Sequence, residues 1–281
     1  YRVKEDGGAT FRFFEPSMHE RAQRRRQMEN DLREAIALEQ FQLHYQPQVD
    51  PVSGKLSGAE ALIRWNHPVR GLVPPDQFIP LAEEVGLISD IGEWVLRTAC
   101  REAASWPGNV TVAVNLSPVQ LQNGQLPSLV TSVLAETGMR ADLLELEVTE
   151  TSLMQDNGTT YSTLQMLQQL GVRISLDDFG TGYSSLNYLR RFPFDKLKID
   201  RSFVRNVPGD ADSVAIVQAM VTLATKLRMT VTVEGVETVE QKMFAASNGC
   251  HQIQGYLVSR PISAAELRER FLVWPSRKRS A

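Results

Sequence analysis

The segment LELEVTETSLMQDNGTTYSTLQMLQQLGVRISLDD, residues 144–178, contains the pattern that decides the fold. Short apolar runs at 144–148 and 173–177 predict buried strands, and the apolar spacing of 160–170 predicts a helix between them. A strand, a helix and a second strand in this order are typical of folds with a parallel sheet. Glu147 stands near the end of the first strand and Asp177 ends the second. The segment therefore predicts an α/β fold with acidic side chains at its strand ends.

The same alternation of strand and helix runs through the chain from residue 41. The first two predicted strands are close together, which indicates a hairpin through Pro51, Ser53 and Gly54. Asp76, Ser89 and Ser263 are predicted helix N-caps. Eight strands in about 240 residues predict a TIM-like (β/α)8 barrel with one irregular, antiparallel strand. The predicted strands are 42–48, 55–62, 111–115, 144–148, 173–177, 196–199, 230–234 and 254–257.

The first 40 residues differ from the rest of the chain. The charged stretch 17–40 has apolar residues at helical spacing, and we interpret it as a solvated linker helix. The alternative is a patch for an anionic partner, since three consecutive arginines lie at 24–26. The chain begins in mid-pattern without methionine, which predicts a fragment of a longer protein. We predict a linker at 17–40, the barrel at 41–273 and a basic tail at 274–281.

Composition excludes several classes of partner. A net charge of −3 and a pI near 5.9 argue against duplex nucleic acid, which needs a basic face. The two cysteines, Cys100 and Cys250, suit a reducing compartment, and we expect a cytoplasmic location. The longest uncharged run is interrupted by Pro and Gly, so this fragment is predicted to make no membrane contact. A membrane anchor N-terminal to the fragment stays open.

Acidic and amide side chains stand at the ends of most predicted strands, which converge on one face of a barrel. Singly, an acid after a strand is often a helix cap, and the pair Asp177-Asp178 also suits a tight turn. Together, five carboxylates and an amide would repel one another unless cations neutralise them. The set comprises Glu60, Asn115, Glu147, Asp177, Asp178 and Glu234.

The chemistry of these ligands predicts the class of metal. Oxygen ligands favour Mg²⁺, Mn²⁺ or Ca²⁺, and no Cys–His spacing suggests zinc. The four histidines are scattered, so a Ser or Cys triad is unsupported. Two metals about 3.5–4 Å apart are the usual arrangement for in-line attack at phosphorus, and Asp177 could bridge them. Lys198 would stabilise the developing charge or hold the nucleophile. The residues thus predict phosphodiester hydrolysis.

The motifs resemble, in chain order, those of EAL domains, the bacterial phosphodiesterases specific for cyclic di-GMP. The resemblance covers about residues 28–273 and includes the triplet Glu60-Ala61-Leu62 that names the family. Val233 and His251 depart from the common pattern, and neither is a predicted ligand. The matching segments are GAEALIRW (58–65), FIP (78–80), NLS (115–117), EVTE (147–150), DDFGTGYSSL (177–186), KID (198–200), EGVET (234–238) and QGY (254–256).

The resemblance implies hydrolysis of cyclic di-GMP to linear pGpG on an irregular TIM barrel that binds Mg²⁺ or Mn²⁺. It implies catalytic roles for Glu60, Glu234 and Lys198, of which Lys198 would position or activate water. Glu234 is either the general base or only a ligand. Calcium is expected to inhibit, because its looser coordination shell distorts a two-metal geometry. The implied ligands are Glu60, Asn115, Glu147 and Asp177 for one metal, and Asp177, Asp178 and Glu234 for the other.

The resemblance also implies a substrate groove, a homodimer and a coupling loop. Glu150 would anchor the loop after Asp178, which Gly180 and Gly182 make mobile. That loop would connect dimerisation to metal binding. The groove residues implied are Gln46, Leu62, Arg64, Asp200, Glu237 and Gln254.

Two alternatives remain beside the enzyme. One is a non-catalytic cyclic-di-GMP receptor on the same fold, although such proteins usually lose metal ligands or the lysine, and all are present here. The other is a scaffold or dimerisation module. Residues 12–16 resemble the exit of a GGDEF (diguanylate cyclase) domain, so 1–16 is predicted to be a GGDEF remnant and the parent a GGDEF–EAL tandem.

Overall fold

A closed barrel of eight strands forms the body of the protein. The structure, a computed structural model, describes residues 16–154, 158–180, 189, 192 and 194–272. Around the barrel the order is β1, β2, β4, β5, β6, β7, β8, β9 and β1 again. The two short strands outside this order, β3 and β10, pair antiparallel with β2 and β1. The strands are β1 Phe41–Val49, β2 Leu56–His67, β3 Gly71–Val73, β4 Thr111–Asn115, β5 Leu144–Thr149, β6 Arg173–Phe179, β7 Lys196–Ile199, β8 Thr230–Val233, β9 Gln252–Ile253 and β10 Ile262–Ser263.

The irregular strand of the barrel is β1. It runs antiparallel to both of its barrel neighbours, β2 and β9, whereas β2 and β4 to β9 pair in parallel. The β1–β2 hairpin turns where the Asp50 carboxylate accepts hydrogen bonds from Val52 N and Ser53 N, and Gly54 has a φ of 69°. An Asx-type turn closed by a glycine suits such a connection. The predicted TIM-like barrel with one antiparallel strand is confirmed.

Helices cover the outside of the barrel. Helix α3 shows why: Ile91, Val95 and Ala99 recur every four residues, so one face is buried against the strands. The helices are α1 Pro16–Ala35, α2 Pro75–Glu84, α3 Ile88–Ala103, α4 Pro118–Gln122, α5 Leu126–Thr137, α6 Glu150–Met154, α7 Thr159–Gln169, α8 Arg201–Val204, α9 Ala211–Lys226, α10 Val239–Ser247 and α11 Ala264–Phe271. Among the described residues, no helix is both long and apolar enough to cross a membrane.

Two of the three predicted helix caps are wrong. Helix α2 begins earlier, with Pro74 at its N-cap, so Asp76 lies inside the first turn, where a negative charge favours the helix dipole. Helix α3 has Leu87 at its N-cap, which places Ser89 inside the helix. The prediction for Ser263 is confirmed, because its side chain accepts a hydrogen bond from Glu266 N in a capping box.

The last predicted strand, 254–257, is also wrong. Strand β9 ends at Ile253, and Gln254 follows the strand instead of beginning it. The chain then turns, with Val258 N donating to Gly255 O at 3.0 Å. Gly255 lies so close to the next connection that a Cβ there would be 2.2 Å from Val236 O. The apolar run that suggested a strand therefore belongs to a turn packed against a neighbouring segment.

The C-terminal part of α1 packs on the barrel. Leu32 and Ala35 are fully buried, and Met28 packs against the same core. The Asp31 carboxylate lies 2.9 Å from the imidazole Nε2 of His67, at the end of β2. The apolar face predicted for this segment is therefore buried in the core, and Asp31 contacts the strand that carries Glu60.

Candidate active site

The strand ends bring the predicted acidic residues to one face of the barrel. Glu60 on β2, Glu147 on β5 and Asp177 on β6 are buried, and Lys198 on β7 is completely buried. Asn115 ends β4 at the same face. Because parallel strands end together, residues far apart in the sequence become neighbours here.

Lys198 is the centre of this cluster. Its Nζ donates to Glu147 Oε2 at 2.7 Å and to Asp177 Oδ2 at 2.9 Å. The same nitrogen lies 2.7 Å from Glu234 Oε1 and 3.6 Å from Glu60 Oε2. Four carboxylates thus surround one ammonium group, which leaves an excess of negative charge in a buried place.

The protonation of Lys198 follows from this surrounding. Burial acts to lower the pKa of the Lys198 ammonium, but the carboxylates of Asp177, Glu147, Glu234 and Glu60 outweigh it and raise that pKa well above its ordinary value. The side chain is therefore a permanent cation in this structure and cannot take up a proton as a base. Its chemical use is to attract and hold negative groups.

Glu60 is held from both sides by amide groups. Asn115 Nδ2 donates to its Oε1 at 2.7 Å, and Gln254 Nε2 donates to its Oε2 at 2.6 Å. Burial acts to raise the pKa of Glu60, but the charge of Lys198 and these two hydrogen bonds lower it below its ordinary value. Glu60 is therefore an ionised carboxylate in a defined orientation.

A bulge at the end of β6 presents two adjacent carboxyl groups. The pairing register with β7 shifts between Leu176 and Phe179, and Asp178 has a φ of 54°. Asp178 N donates to Asp177 Oδ1 at 2.8 Å. In a regular strand adjacent side chains point to opposite faces, but here both acids reach the cluster. Carboxyl oxygens of Asp177, Asp178 and Glu234 lie within 4.8 Å of one another.

Three other acids of the cluster, Glu147, Asp178 and Glu234, have raised pKa values. Burial, followed by the nearby charge of Glu60, raises the pKa of Glu147 well above its ordinary value. Burial and the charge of Asp177 raise the pKa of Asp178, and burial raises that of Glu234 to about 8. These shifts share two physical causes, which are burial and, second, the crowding of negative charges around a single lysine.

This arrangement fits divalent cations. The donors are carboxylate and amide oxygens, which suit hard ions such as Mg²⁺ and Mn²⁺. Glu147 Oε1 is buried and has no hydrogen-bond partner in the part of the chain that the structure describes. Asp177, Asp178 and Glu234 could hold one ion, and Asp177 also lies beside the group formed by Glu60, Asn115 and Glu147.

A cavity of about 220 Å³ opens beside the cluster. Of the predicted groove residues, Gln46, Leu62, Glu237 and Gln254 line it. Arg64 and Asp200 are not among its described lining residues. The guanidinium of Arg64 donates to Ile63 O at 2.8 Å, and the Asp200 carboxylate accepts from Ser202 N as the N-cap of α8.

Sequence reasoning missed four residues of this lining. They are Arg201, Gly235, Gly255 and Tyr256. Tyr256 stands in the QGY motif and is half exposed, with the Arg260 guanidinium 4.1 Å above its ring. Gly235 has a φ of 63°, and a Cβ there would lie 2.3 Å from Arg201 Cβ. Because all four directly follow a predicted site residue or belong to a quoted motif, attention to the neighbours of the acids could have found them.

Glu150 contacts the segment that follows Asp178. It is buried, and its Oε2 accepts a hydrogen bond from Gly180 N at 3.3 Å. Gly180 has a φ of 93°, and a Cβ there would be 2.7 Å from Met220 Cε. Gly182 and most of the predicted coupling loop lie outside the described residues, so its mobility and its link to a homodimer stay predictions.

Two named relatives align with this sequence over almost its whole length. MucR of Pseudomonas aeruginosa, a bifunctional diguanylate cyclase/cyclic di-GMP phosphodiesterase, is 45% identical over 271 residues, which are 95% of this chain and 40% of MucR. The cyclic di-GMP phosphodiesterase NbdA of the same organism is 44% identical over 273 residues, 96% of this chain and 35% of NbdA. The chain thus spans about two fifths or less of these relatives.

A solved structure and a family model match the chain as well. The solved structure of the MucR phosphodiesterase in complex with c-di-GMP superimposes with a TM-score of 0.82 at 45% identity, covering 86% of this chain and 99% of that one. The sequence matches the EAL domain family over residues 29–261, the part that forms the barrel and its strand-end cluster. The chain therefore belongs to the EAL domain family.

Proposed function

We propose that this chain hydrolyses cyclic di-GMP to linear pGpG, with two Mg²⁺ or Mn²⁺ ions at the strand-end cluster. The observation that carries the proposal is the convergence of four carboxylates on Lys198 beside an open cavity. The activities for which MucR and NbdA are named, and the c-di-GMP complex of the MucR domain, support the choice of substrate.

The chain's own residues would divide the chemistry among them. Divalent ions at such a site stabilise negative charge on phosphate oxygens and make bound water a better nucleophile. Glu60 and Asp177 would orient the reacting phosphate through their share of the ligand set. Lys198 is a cation among the proposed metal ligands, so it would stabilise the negative charge that develops on the phosphate oxygens in the transition state. Glu234, when unprotonated, would either accept a proton or act only as a ligand.

The cavity beside the cluster has groups that suit a guanine nucleotide. Tyr256 offers an aromatic face, and stacking of a base on such a ring typically contributes about 1–3 kcal/mol. Glu237 presents a carboxylate, which accepts hydrogen bonds from the N–H groups of guanine. These contacts would place a phosphodiester of the ring over the carboxylates.

The decisive experiment is a hydrolysis assay. The purified chain is incubated with cyclic di-GMP and Mg²⁺ or Mn²⁺, with and without EDTA, and pGpG is followed by chromatography. We expect product only with free metal, and we expect Ca²⁺ to suppress it. Metal-independent binding of the dinucleotide without product would instead support a receptor.

A variant of one ligand tests the assignment of the cluster. Glu60→Ala should abolish turnover while the circular dichroism spectrum keeps its folded form, because the carboxylate belongs to the polar cluster beside the cavity and not to the apolar core. Turnover near the wild-type rate in this variant would overturn the proposed ligand set.

A further inference from the structure

A second buried lysine lies below the active site. Lys196 precedes Lys198 by two positions on β7 and faces the same way, deeper in the barrel. Its Nζ forms an ion pair with Glu145 Oε2 at 2.7 Å, and both side chains are almost completely buried. The interior of a (β/α)8 barrel is usually filled by branched apolar side chains, so a charged pair there calls for an explanation.

The pair is connected to the active site through two glutamines. Lys196 Nζ donates to Gln48 Oε1 at 3.2 Å, and Gln48 Nε2 donates to Gln254 Oε1 at 2.9 Å. Gln254 Nε2 then donates to Glu60 Oε2 at 2.6 Å. We call this series, from Glu145 through Lys196, Gln48 and Gln254 to Glu60, the amide relay.

The direction of the amide relay is decided at its two ends. An ammonium group only donates, so the oxygen of Gln48 must face Lys196 and its NH₂ group must face Gln254. The oxygen of Gln254 is then occupied, and its NH₂ group must face Glu60. A carboxylate only accepts, so this orientation also satisfies the far end. Each amide in the series therefore has one orientation in which both its oxygen and its NH₂ group are paired.

The backbone leaves room for this arrangement. Gly58 pairs with Gln48 across the β1–β2 hairpin. A Cβ at Gly58 would lie 3.0 Å from Gln48 Oε1 and 2.4 Å from Thr111 Oγ1. Gln48 itself has no exposed surface. The position opposite Gln48 is therefore without a side chain at the place where the amide must fit.

We propose that Gln48 is a positioning residue, which transmits the orientation imposed by the Lys196–Glu145 pair to Gln254 and thereby holds Glu60 ready for a metal ion. The proposal rests on the proposed function in so far as Glu60 is a metal ligand. Groups that orient a metal ligand typically contribute about 10–100-fold to metal affinity or activity.

The test compares two glutamines of the same barrel. Gln48→Met keeps the length of the side chain and removes the relay. Gln252→Met is the matched control, because Gln252 bonds Thr232 and Ser57 at 2.8 and 2.9 Å and does not belong to the relay. Mn²⁺ binding to the metal-free proteins is measured by calorimetry, and kcat and KM are measured with cyclic di-GMP. For Gln48→Met we expect Mn²⁺ affinity and kcat to fall about 10-fold with little change in KM.

A third variant separates orientation from packing. Gln48→Glu introduces a carboxylate that accepts from Lys196 and also requires a donor from Gln254. The amide of Gln254 must then turn its NH₂ group toward that carboxylate, which leaves its oxygen facing Glu60. We expect a larger loss of Mn²⁺ affinity than for Gln48→Met, up to about 100-fold.

Equal Mn²⁺ affinity and equal kcat in Gln48→Met and Gln252→Met would overturn the proposal. If Gln48→Met fails to fold, the double variant Lys196→Met with Glu145→Leu removes the origin of the relay and should show the same loss of Mn²⁺ affinity. The titration is read without substrate. A wild type that binds Mn²⁺ but does not hydrolyse cyclic di-GMP would therefore contradict the proposed function and leave the test of Gln48 valid.

Discussion

Lys196 and Lys198 lie two residues apart on β7, face the same interior and are equally inaccessible to solvent, yet their surroundings differ. Lys196 has one carboxylate, Glu145, and one amide, Gln48. Lys198 has four carboxylates within 3.6 Å or less. The first group is balanced in charge, with one carboxylate for one ammonium group. The second is not, and that imbalance distinguishes a structural ion pair from a site built to receive cations.

The groups around Lys196 and those around Lys198 are expected to respond differently to a change in their charge. A buried pair that loses one partner leaves an uncompensated charge, which is costly to the fold. A cluster with surplus acids relieves its repulsion by taking up protons, as the raised pKa values of Glu147 and Glu234 indicate. Divalent ions would relieve the same repulsion without protons.

The largest effect is expected from the metal. Addition of Mn²⁺ to the EDTA-treated protein should restore hydrolysis from background and raise the melting temperature, because cations bind the folded cluster. Free metal at 100 times its dissociation constant should add about 2.7 kcal/mol to the free energy of unfolding. Thermal unfolding followed by circular dichroism measures this. An unchanged melting temperature would contradict the interpretation that the cluster carries an excess of negative charge.

The next effect concerns Lys198. Lys198→Met should lower kcat by about 100–1,000-fold, because a preorganised cation beside the reacting phosphate is lost. Initial rates at saturating cyclic di-GMP and Mg²⁺ measure the change. A kcat within tenfold of wild type would show that the ammonium serves only to balance charge.

For Lys196 we expect the main effect on stability, whereas for Lys198 we expect it on kcat. Lys196→Met leaves Glu145 buried without its partner, so the free energy of unfolding should fall by about 3–5 kcal/mol. Adding Glu145→Leu should recover most of that loss, because neither charge remains. Urea unfolding in EDTA measures both variants. Equal stability of the single and double variants would contradict the expectation that each charge of the pair compensates the other.

The smallest effect is expected at Glu150, whose carboxylate accepts a hydrogen bond from Gly180 N, two positions after Asp178. Glu150→Gln replaces a charged acceptor by a neutral one, and a hydrogen bond to a charged group is worth about 1.5–3 kcal/mol. We expect kcat/KM to fall about tenfold, whereas the exposed acid variant Glu269→Gln should match wild type. Equal values for the two variants would exclude a role of Glu150 in anchoring the segment.

Local patterns predicted most of the barrel and most of the cluster. The apolar run ending in Asp177-Asp178 predicted both a strand and a pair of acids at its end, because burial and strand length leave a clear signature. The segment 254–257 was mistaken for a strand because a turn that packs against the barrel can carry the same residue types as a short strand. The turn requires glycine at position 255, because the backbone of Val236 leaves no space for a side chain there.

The amide relay had no local signature. Gln48 and Lys196 are 148 positions apart, and Gln48 and Gln254 are 206 positions apart. Neither Gln48 nor Lys196 belongs to a quoted motif, and a glutamine in a strand is unremarkable when its partners are unknown. Only closure of the barrel between β9 and β1 makes these residues neighbours.

The sequence by itself determined which chemical groups stand at the strand ends, because apolar periodicity places the strands and the acids follow them. The tertiary structure decided which of those groups share a cation, and which way each amide points. Distances between strands depend on the register and closure of the barrel, and the balance of charge around a buried lysine depends on those distances. That is why two lysines on one short strand, nearly identical in local sequence, acquire different surroundings.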